Sequence, residues 1–193
     1  MHQATQSEIT FKGQVKGKSM SGIAALHSAI SPDVQTAIPG LPHNIEAEQA
    51  LLGALLVNND VYDRVASLVN DTHFYDPVHG RIFDIAAQRI QKNALASPVT
   101  LKAFLEDDPG LAELGGPAYL ARLAGAAISV FAARDYAQTI YDLAIRRELI
   151  AIGQEIAGKA ARVEVSSEPK DQIVEAEQKL YQLGEQGSAE TGF

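Results

Sequence analysis

The chain has 193 residues, 46% of them hydrophobic, enough for one domain with its own core plus tails. It has no cysteine, which excludes disulfides, thiol catalysis and cysteine–zinc sites and is compatible with the cytoplasm, the expected location. Its formal net charge of -8 repels phosphate, so tight DNA binding by this domain alone is not expected and a protein partner is favoured. No apolar stretch approaches the roughly 20 residues that span a bilayer. The N-terminus lacks a basic start followed by an apolar run, so neither membrane association nor a secretory signal is expected.

Residues 1–38 hold scattered Gly, Ser, Thr and Gln, which predicts a flexible tail with room for one short helix around 22–30. The tail is slightly positive, with Lys12, Lys16 and Lys18 against Glu8 and Asp33. Asn44 then has the character of an N-cap, with Glu46 and Glu48 in the first turn, where the helix dipole favours carboxylates. Leu51, Leu52, Leu55 and Leu56 lie on one side of this helix. Gly53 inside it costs about 1 kcal/mol relative to alanine, which close approach of another helix would repay. Asn58 and Asn59 end this helix or cap the next, over 60–69. Asp76-Pro77 is a capping side chain followed by proline at the first helical position. Val78, Ile82, Ile85, Ala86 and Ile90 follow at helical spacing. A loop with Ser97-Pro98 leads to a short helix near 100–105. Asp107-Asp108-Pro109-Gly110 reads as a turn, and Gly115-Gly116-Pro117 opens a helix carrying Tyr119, Leu120 and Leu123.

A long helix is predicted over about 132–161. At about 100° per residue, Tyr141, Ile145, Leu149, Ile152 and Ile156 share one face. Tyr136, Ile140, Leu143, Ile150 and Ala157 fall on nearly the opposite face, with charged edges between. A helix of a small monomer usually needs one apolar face. One face is therefore expected to meet its own domain and the other a second chain, unless both are covered within one chain. The second face, with Tyr136, Ile140, Leu143, Arg147 and Ile150, is the predicted oligomer interface. Arg162 to Lys170 is a polar break. The last helix, over about 170–183, turns Ile173, Val174, Leu180 and Tyr181 towards an apolar surface. No period-2 strand and no internal repeat is visible, so the fold class is all-α.

Catalytic leads are weak. Gly13-Gln14-Val15-Lys16-Gly17-Lys18-Ser19 ends like a phosphate-binding loop but has three residues between its glycines, not four, and lacks the strand and sheet such a loop requires. His2, His27, His43, His73 and His79 show no metal-ligand spacing, and capping or core roles are expected for His73 and His79. The carboxylates are read as spread over solvated helix faces, and no pair is placed for acid/base work. Arg146 is expected to pair with Asp142 four residues earlier, leaving Arg147 for an interface. No catalytic, cofactor or metal site is predicted.

Five phrases stand in order: LPHNIEAEQALLGALL, HFYDPVHGRIFDIA, LGGPAYLARL, RDYAQTIYDLAIRRELI and VEAEQKLYQLGE. In order and spacing they resemble the N-terminal region of bacterial replicative DNA helicases of the DnaB type, from about Leu41 to Phe193. Pro42, Glu46, Ala47, Glu48, Gln49 and Gly53 meet the first motif. His79, Ile82 and Phe83 meet the second, with Gly80 in place of the usual basic residue. Gly115, Gly116, Tyr119 and Leu120 meet the third; Tyr136, Ile140, Arg146, Arg147 and Leu149 the fourth; Ala176, Glu177 and Leu180 the last.

The resemblance implies an all-α collar: a globular head of short helices (39–113) followed by a helical hairpin (114–162), within a domain of 39–162, and then a detached linker helix in a linker region of 163–193. It implies hairpins that pair into dimers, three dimers making a ring, and a collar that receives primase and also a helicase loader. It implies a linker helix that docks on a neighbouring motor domain through Ile173, Val174, Glu177, Leu180 and Tyr181. ATP and magnesium belong to the family's motor domain, which would begin beyond Phe193, so no ATPase or unwinding activity is expected of this chain alone. The alternative is a free-standing helical adaptor or regulator that binds helicase or primase through the same hairpin.

Overall fold

Asn44 starts the first helix as its side chain implies: Oδ1 accepts the Ala47 N–H at 2.9 Å. In the computed structural model, which describes residues 40–127, 129–162 and 168–190 (side chains to 185), every regular element is helical. The tail, its 22–30 segment, the Gly-Lys-Ser phrase, His2, His27 and most of the polar break at 162–170 lie outside the described residues.

Helix α1 (Ile45–Val57) is buried on most of its circumference and packs against α3, α6 and α7, which marks it as the centre of the head. Its neighbours are α2 (Val61–Val65), a 3₁₀ turn (Asp71–His73), α3 (Pro77–Gln91), α4 (Pro98–Leu105), α5 (Pro109–Glu113) and α6 (Ala118–Gly125). The long helix α7 (Ala133–Ala160) and the last helix α8 (Pro169–Glu190) complete the order. Asp76 Oδ1 caps α3 through the Val78 N–H, and Ser97 with Thr100 forms a capping box on α4. The residues 107–110 are not a plain turn. Asp108 caps the five-residue α5 through the Leu111 N–H, and Arg81 grips the same carboxylate with Nε and Nη2. Helix α2 is also shorter than its predicted span. Asn59 then reaches across the chain, donating to the Leu55 and Ala96 carbonyls and accepting the Ala96 N–H.

Two glycines are places of close approach. A Cβ on Gly53 would overlap the Leu123 carbonyl oxygen of α6, as expected for a helix crossing. A Cβ on Gly80 would stand 2.6 Å from the Asp71 carbonyl oxygen. Gly80 is buried, so this position is an internal contact between α3 and the 3₁₀ turn. In both cases the obstruction is backbone and cannot rotate away. Gly53→Ala gains about 1 kcal/mol of helix propensity, but forcing the helices apart costs about 1–3 kcal/mol. The expected result is a lower urea midpoint at unchanged slope; a higher midpoint would show that α6 yields freely.

The hairpin differs from expectation. Helix α6 packs on α1 and α4 inside the head, while α7 pairs antiparallel with α8. The last helix is therefore the second arm of the hairpin, not a detached linker. Its inner side carries Gln172, the adjacent pair Glu175 and Ala176, Lys179 and Leu183, about one turn apart, and these face Glu148, Ile152, Glu155, Ile156 and Lys159 of α7. Lys159 and Lys179 each bond both Glu155 and Glu175, so two ion pairs within helices are tied by two between them. Lys179, then Lys159, hold Glu155 at a pKa of about 2.

Candidate interaction surface and its buried frame

The seam where α7 meets the head is built from small residues. Ala133, Ala137, Ile140, Tyr141 and Ala144 are buried at helical spacing. The two predicted faces are thus not opposed surfaces over this stretch, because Ile140 of one and Tyr141 of the other share the same seam. Ile140 is 2% exposed, which corrects its assignment to an oligomer interface. Tyr136 also packs against the head core. Leu143 and Ile150 are half-buried.

Arg147, predicted to face a second chain, fastens the hairpin to its own head. Nη1 donates to the Pro42 carbonyl at 3.0 Å and Nη2 to the His73 carbonyl at 2.6 Å, with the guanidinium 5.8 Å from the Tyr75 ring centroid. His43 stacks on Tyr75 at 4.2 Å. The expected Asp142–Arg146 pair is absent among the described residues; Asp142 accepts from Gln138 instead.

Beneath this junction lies a polar chain whose carboxylate was expected on a solvated face and whose histidine was expected to cap or to sit in the core. Glu48 is 2% exposed and His79 fully buried. The Glu48 carboxylate accepts the Tyr75 N–H at 2.6 Å and the Asp76 N–H at 3.3 Å, and meets His79 Nδ1 at 2.7 Å. His79 Nε2 lies 2.6 Å from the Tyr119 hydroxyl, which takes a hydrogen bond from Gln49. The chain closes in one direction: Gln49 donates to Tyr119, Tyr119 to Nε2, and Nδ1–H to Glu48. Burial raises the Tyr119 pKa, with the Gln49 hydrogen bond opposing. The array resembles an acid–base relay in its residues, but with Glu48, His79 and Tyr119 all buried it orders α1, α3 and α6 and presents no reacting group at the surface. The signal for it was register. Glu48 precedes Leu51, Leu52 and Leu55 by three, four and seven residues, and His79 precedes Ile82, Phe83 and Ala86 likewise.

His73 is held below its ordinary pKa of 6.5 by burial, then by Arg147, with Asp71 opposing. Its Nδ1 accepts the Asn70 N–H, a bond only the unprotonated ring nitrogen can accept. With the folded value below the unfolded one, the unfolded chain binds more protons on acidification. This contribution is full above about pH 7 and is lost as pH falls through 6.5 towards the folded value. The urea midpoint should fall between about pH 7 and pH 5, and His73→Gln should flatten that slope. An unchanged slope would assign the titration elsewhere.

The outer hairpin surface is apolar and uncovered. Leu149 is 47% exposed, Ile173 59%, Val174 44%, Leu180 46% and Tyr181 66%. The residues predicted to dock a linker helix thus stand mostly on the outside of the hairpin, together with exposed Glu177. A groove at the head end runs between Tyr141, Ile145 and Leu149 of α7 and Leu180 and Leu183 of α8. Among the described residues no group of three or more His, Asp or Glu is arranged to hold a metal ion. No described helix is long and apolar enough to cross a membrane.

Comparison with known proteins gives one consistent result. Residues 40–142 match the model of the DnaB-like helicase N terminal domain. The chain is 40% identical to the replicative DNA helicase DnaB of Rickettsia typhi over 153 residues, 79% of this chain and 31% of that protein. It is 39% identical to that of Rickettsia prowazekii over 169 residues, 87% of this chain and 35% of that protein. It therefore spans about a third of the length of these relatives. The N-terminal domain of DnaB helicase from Mycobacterium tuberculosis has the same fold, with a TM-score of 0.67 at 24% identity over 73% of this chain and 98% of that one. A DnaB-like replicative helicase, solved in a study of its interactions with primase, superposes with a TM-score of 0.58 at 24% identity over 72% of this chain and 31% of that one. The family match covers over half the chain, and the fold agrees with it: the chain belongs to the DnaB-like helicase N-terminal domain family.

Proposed function

We propose that this chain acts as the oligomerisation and primase-docking collar of a hexameric replicative helicase that unwinds duplex DNA at the replication fork in the cytoplasm. The observation that carries the reading is the uncovered apolar stripe of the hairpin, Leu149, Ile173, Val174, Leu180 and Tyr181. Several large apolar side chains left exposed on one hairpin mark a protein contact. A second hairpin brings the same stripe to it, and a symmetric contact uses each residue twice. Ile140 and Arg147 leave the proposed interface, while Leu143 and Ile150 stay at its edge. Primase is the proposed external partner, supported by the relatives' role in replication and by the net charge, which disfavours DNA. A helicase loader is a further partner on the same family reading. ATP and magnesium are proposed to act in the family's motor, so this chain alone should neither hydrolyse ATP nor unwind DNA.

Light scattering tests the collar. The wild-type chain should associate at micromolar concentration, and Leu149→Asp with Tyr181→Asp should give folded monomers. That variant should also lose the ring-dependent part of co-elution with the cognate primase. A monomeric wild type, or oligomers indifferent to both substitutions, would overturn the reading.

A further inference from the structure

Arg89, in the last turn of α3, is a cation held in place without a carboxylate. Its Nε donates to the Leu95 carbonyl at 2.9 Å, and its guanidinium lies 5.2 Å from the Phe104 ring centroid. Among the described residues no acid is within ion-pair distance of Arg89 or of Lys92 one turn later, although Glu106 and Asp107 follow close behind Phe104 in sequence. Leu95, whose carbonyl Arg89 holds, and Phe104, under its guanidinium, are 63% and 59% exposed, and Val99, in the first turn of the helix that carries Phe104, is 83% exposed. Their exposure is not loop slack. The Leu95 carbonyl also accepts Thr100 Oγ1 at 2.8 Å, and the next residue, Ala96, is fully buried and gripped on both backbone groups by Asn59. The patch lies on α3, α4 and the loop between them, away from the hairpin.

We propose that this patch is a docking site for a short acidic and apolar peptide segment of a partner protein. A carboxylate of the segment would take the outer edge of Arg89, and its apolar side chain would cover Leu95 and Phe104. The positive charge of Arg89 and Lys92, with no acid in ion-pair distance, selects an acidic ligand. A guanidinium already fixed by a carbonyl and a ring loses little freedom on binding, which favours a planar carboxylate over a diffuse contact. Single-stranded nucleic acid fits less well. Arg89 already covers one face of Phe104, Leu95 and Val99 offer no stacking surface, and two cations make a poor phosphate track.

The test uses the whole chain and fluorescein-labelled peptides in which Asp and Glu alternate with Leu and Phe, read by anisotropy. Controls replace every acid by Lys, or every apolar residue by Ser, and a labelled oligothymidylate is the nucleic-acid probe. The acidic and apolar peptides should bind, and Arg89→Gln and Phe104→Ser should each weaken them about tenfold, with unchanged circular dichroism. Arg64→Gln, at another exposed arginine, should leave binding unchanged. Failure of every acidic and apolar peptide to bind, preference for the Lys peptides or oligothymidylate, or equal binding by the variants overturns the proposal. So does loss of self-association on Arg89→Gln, which would make the patch a contact between copies. The hairpin variants leave this assay untouched, so the two readings fail separately.

Discussion

Replacing Glu48 by Ala should cost about 3–5 kcal/mol, because several buried donors lose their acceptor at about 1–3 kcal/mol each. A domain of this size has about 5–15 kcal/mol in total. Three donors converge on the carboxylate: two backbone N–H groups at the entry to α3 and the imidazole of His79. Removal orphans all three where water cannot replace the acceptor. Glu48→Gln keeps the size but turns one acceptor oxygen into a donor facing a donor, so an intermediate loss of about 1–3 kcal/mol is expected. Tyr119→Phe breaks the other end of the chain and should cost less than Glu48→Ala, because His79 keeps its carboxylate partner. Urea unfolding provides the measurement. A Glu48→Ala chain within about 1 kcal/mol of wild type would mean that the polar chain is solvated and does not order the head.

The elements of the head were legible where a single side chain decides a boundary. Asn44 and Asp76 are such residues, and each caps the helix predicted for it, whereas Ser97, read as part of a loop, caps a helix that begins at Pro98, two residues before its expected start. Asp108 is the same chemistry, but α5 has only Leu111 as a buried anchor and contains Gly110, so its apolar pattern is too short to distinguish from a turn. The role of Gly53 was legible because a glycine inside a leucine-rich helix has few other uses. The burial of Glu48 was missed because the first-turn dipole rule and the core register make opposite statements about the same position, and register prevailed. The error on α7 came from weighting large side chains. The head approaches through Ala133, Ala137 and Ala144, whose small size permits the contact but contributes little to an apolar stripe. Pairing of α7 with α8 rests partly on charges 16 to 24 residues apart, Lys159 with Glu175 and Glu155 with Lys179, which no local period encodes. The interface residues suffered most, since choosing which face of a helix stays free requires knowing which face its own chain has taken.

That choice can be separated experimentally, because Ile140 and the outer stripe predict opposite phenotypes. Ile140→Asp gives up about 1.5–3 kcal/mol of side-chain burial and adds a buried carboxylate, at an effective cost of several kcal/mol. Together these match the whole stability of a typical domain, about 5–15 kcal/mol. The seam around Ile140 is lined by alanines, and no cation among the described residues is paired there. Ile140→Asp should therefore unfold the head, with loss of the cooperative thermal transition. Leu149→Asp and Tyr181→Asp alter side chains that are 47% and 66% exposed and should leave the helical signal intact. Circular dichroism and light scattering on the same samples distinguish the outcomes. A folded, monomeric Ile140→Asp chain would return Ile140 to the interface and show that the head tolerates loss of the α7 seam. An unfolded Ile140→Asp chain beside folded Leu149 and Tyr181 variants would assign the seam to the fold and leave the outer stripe for the second hairpin.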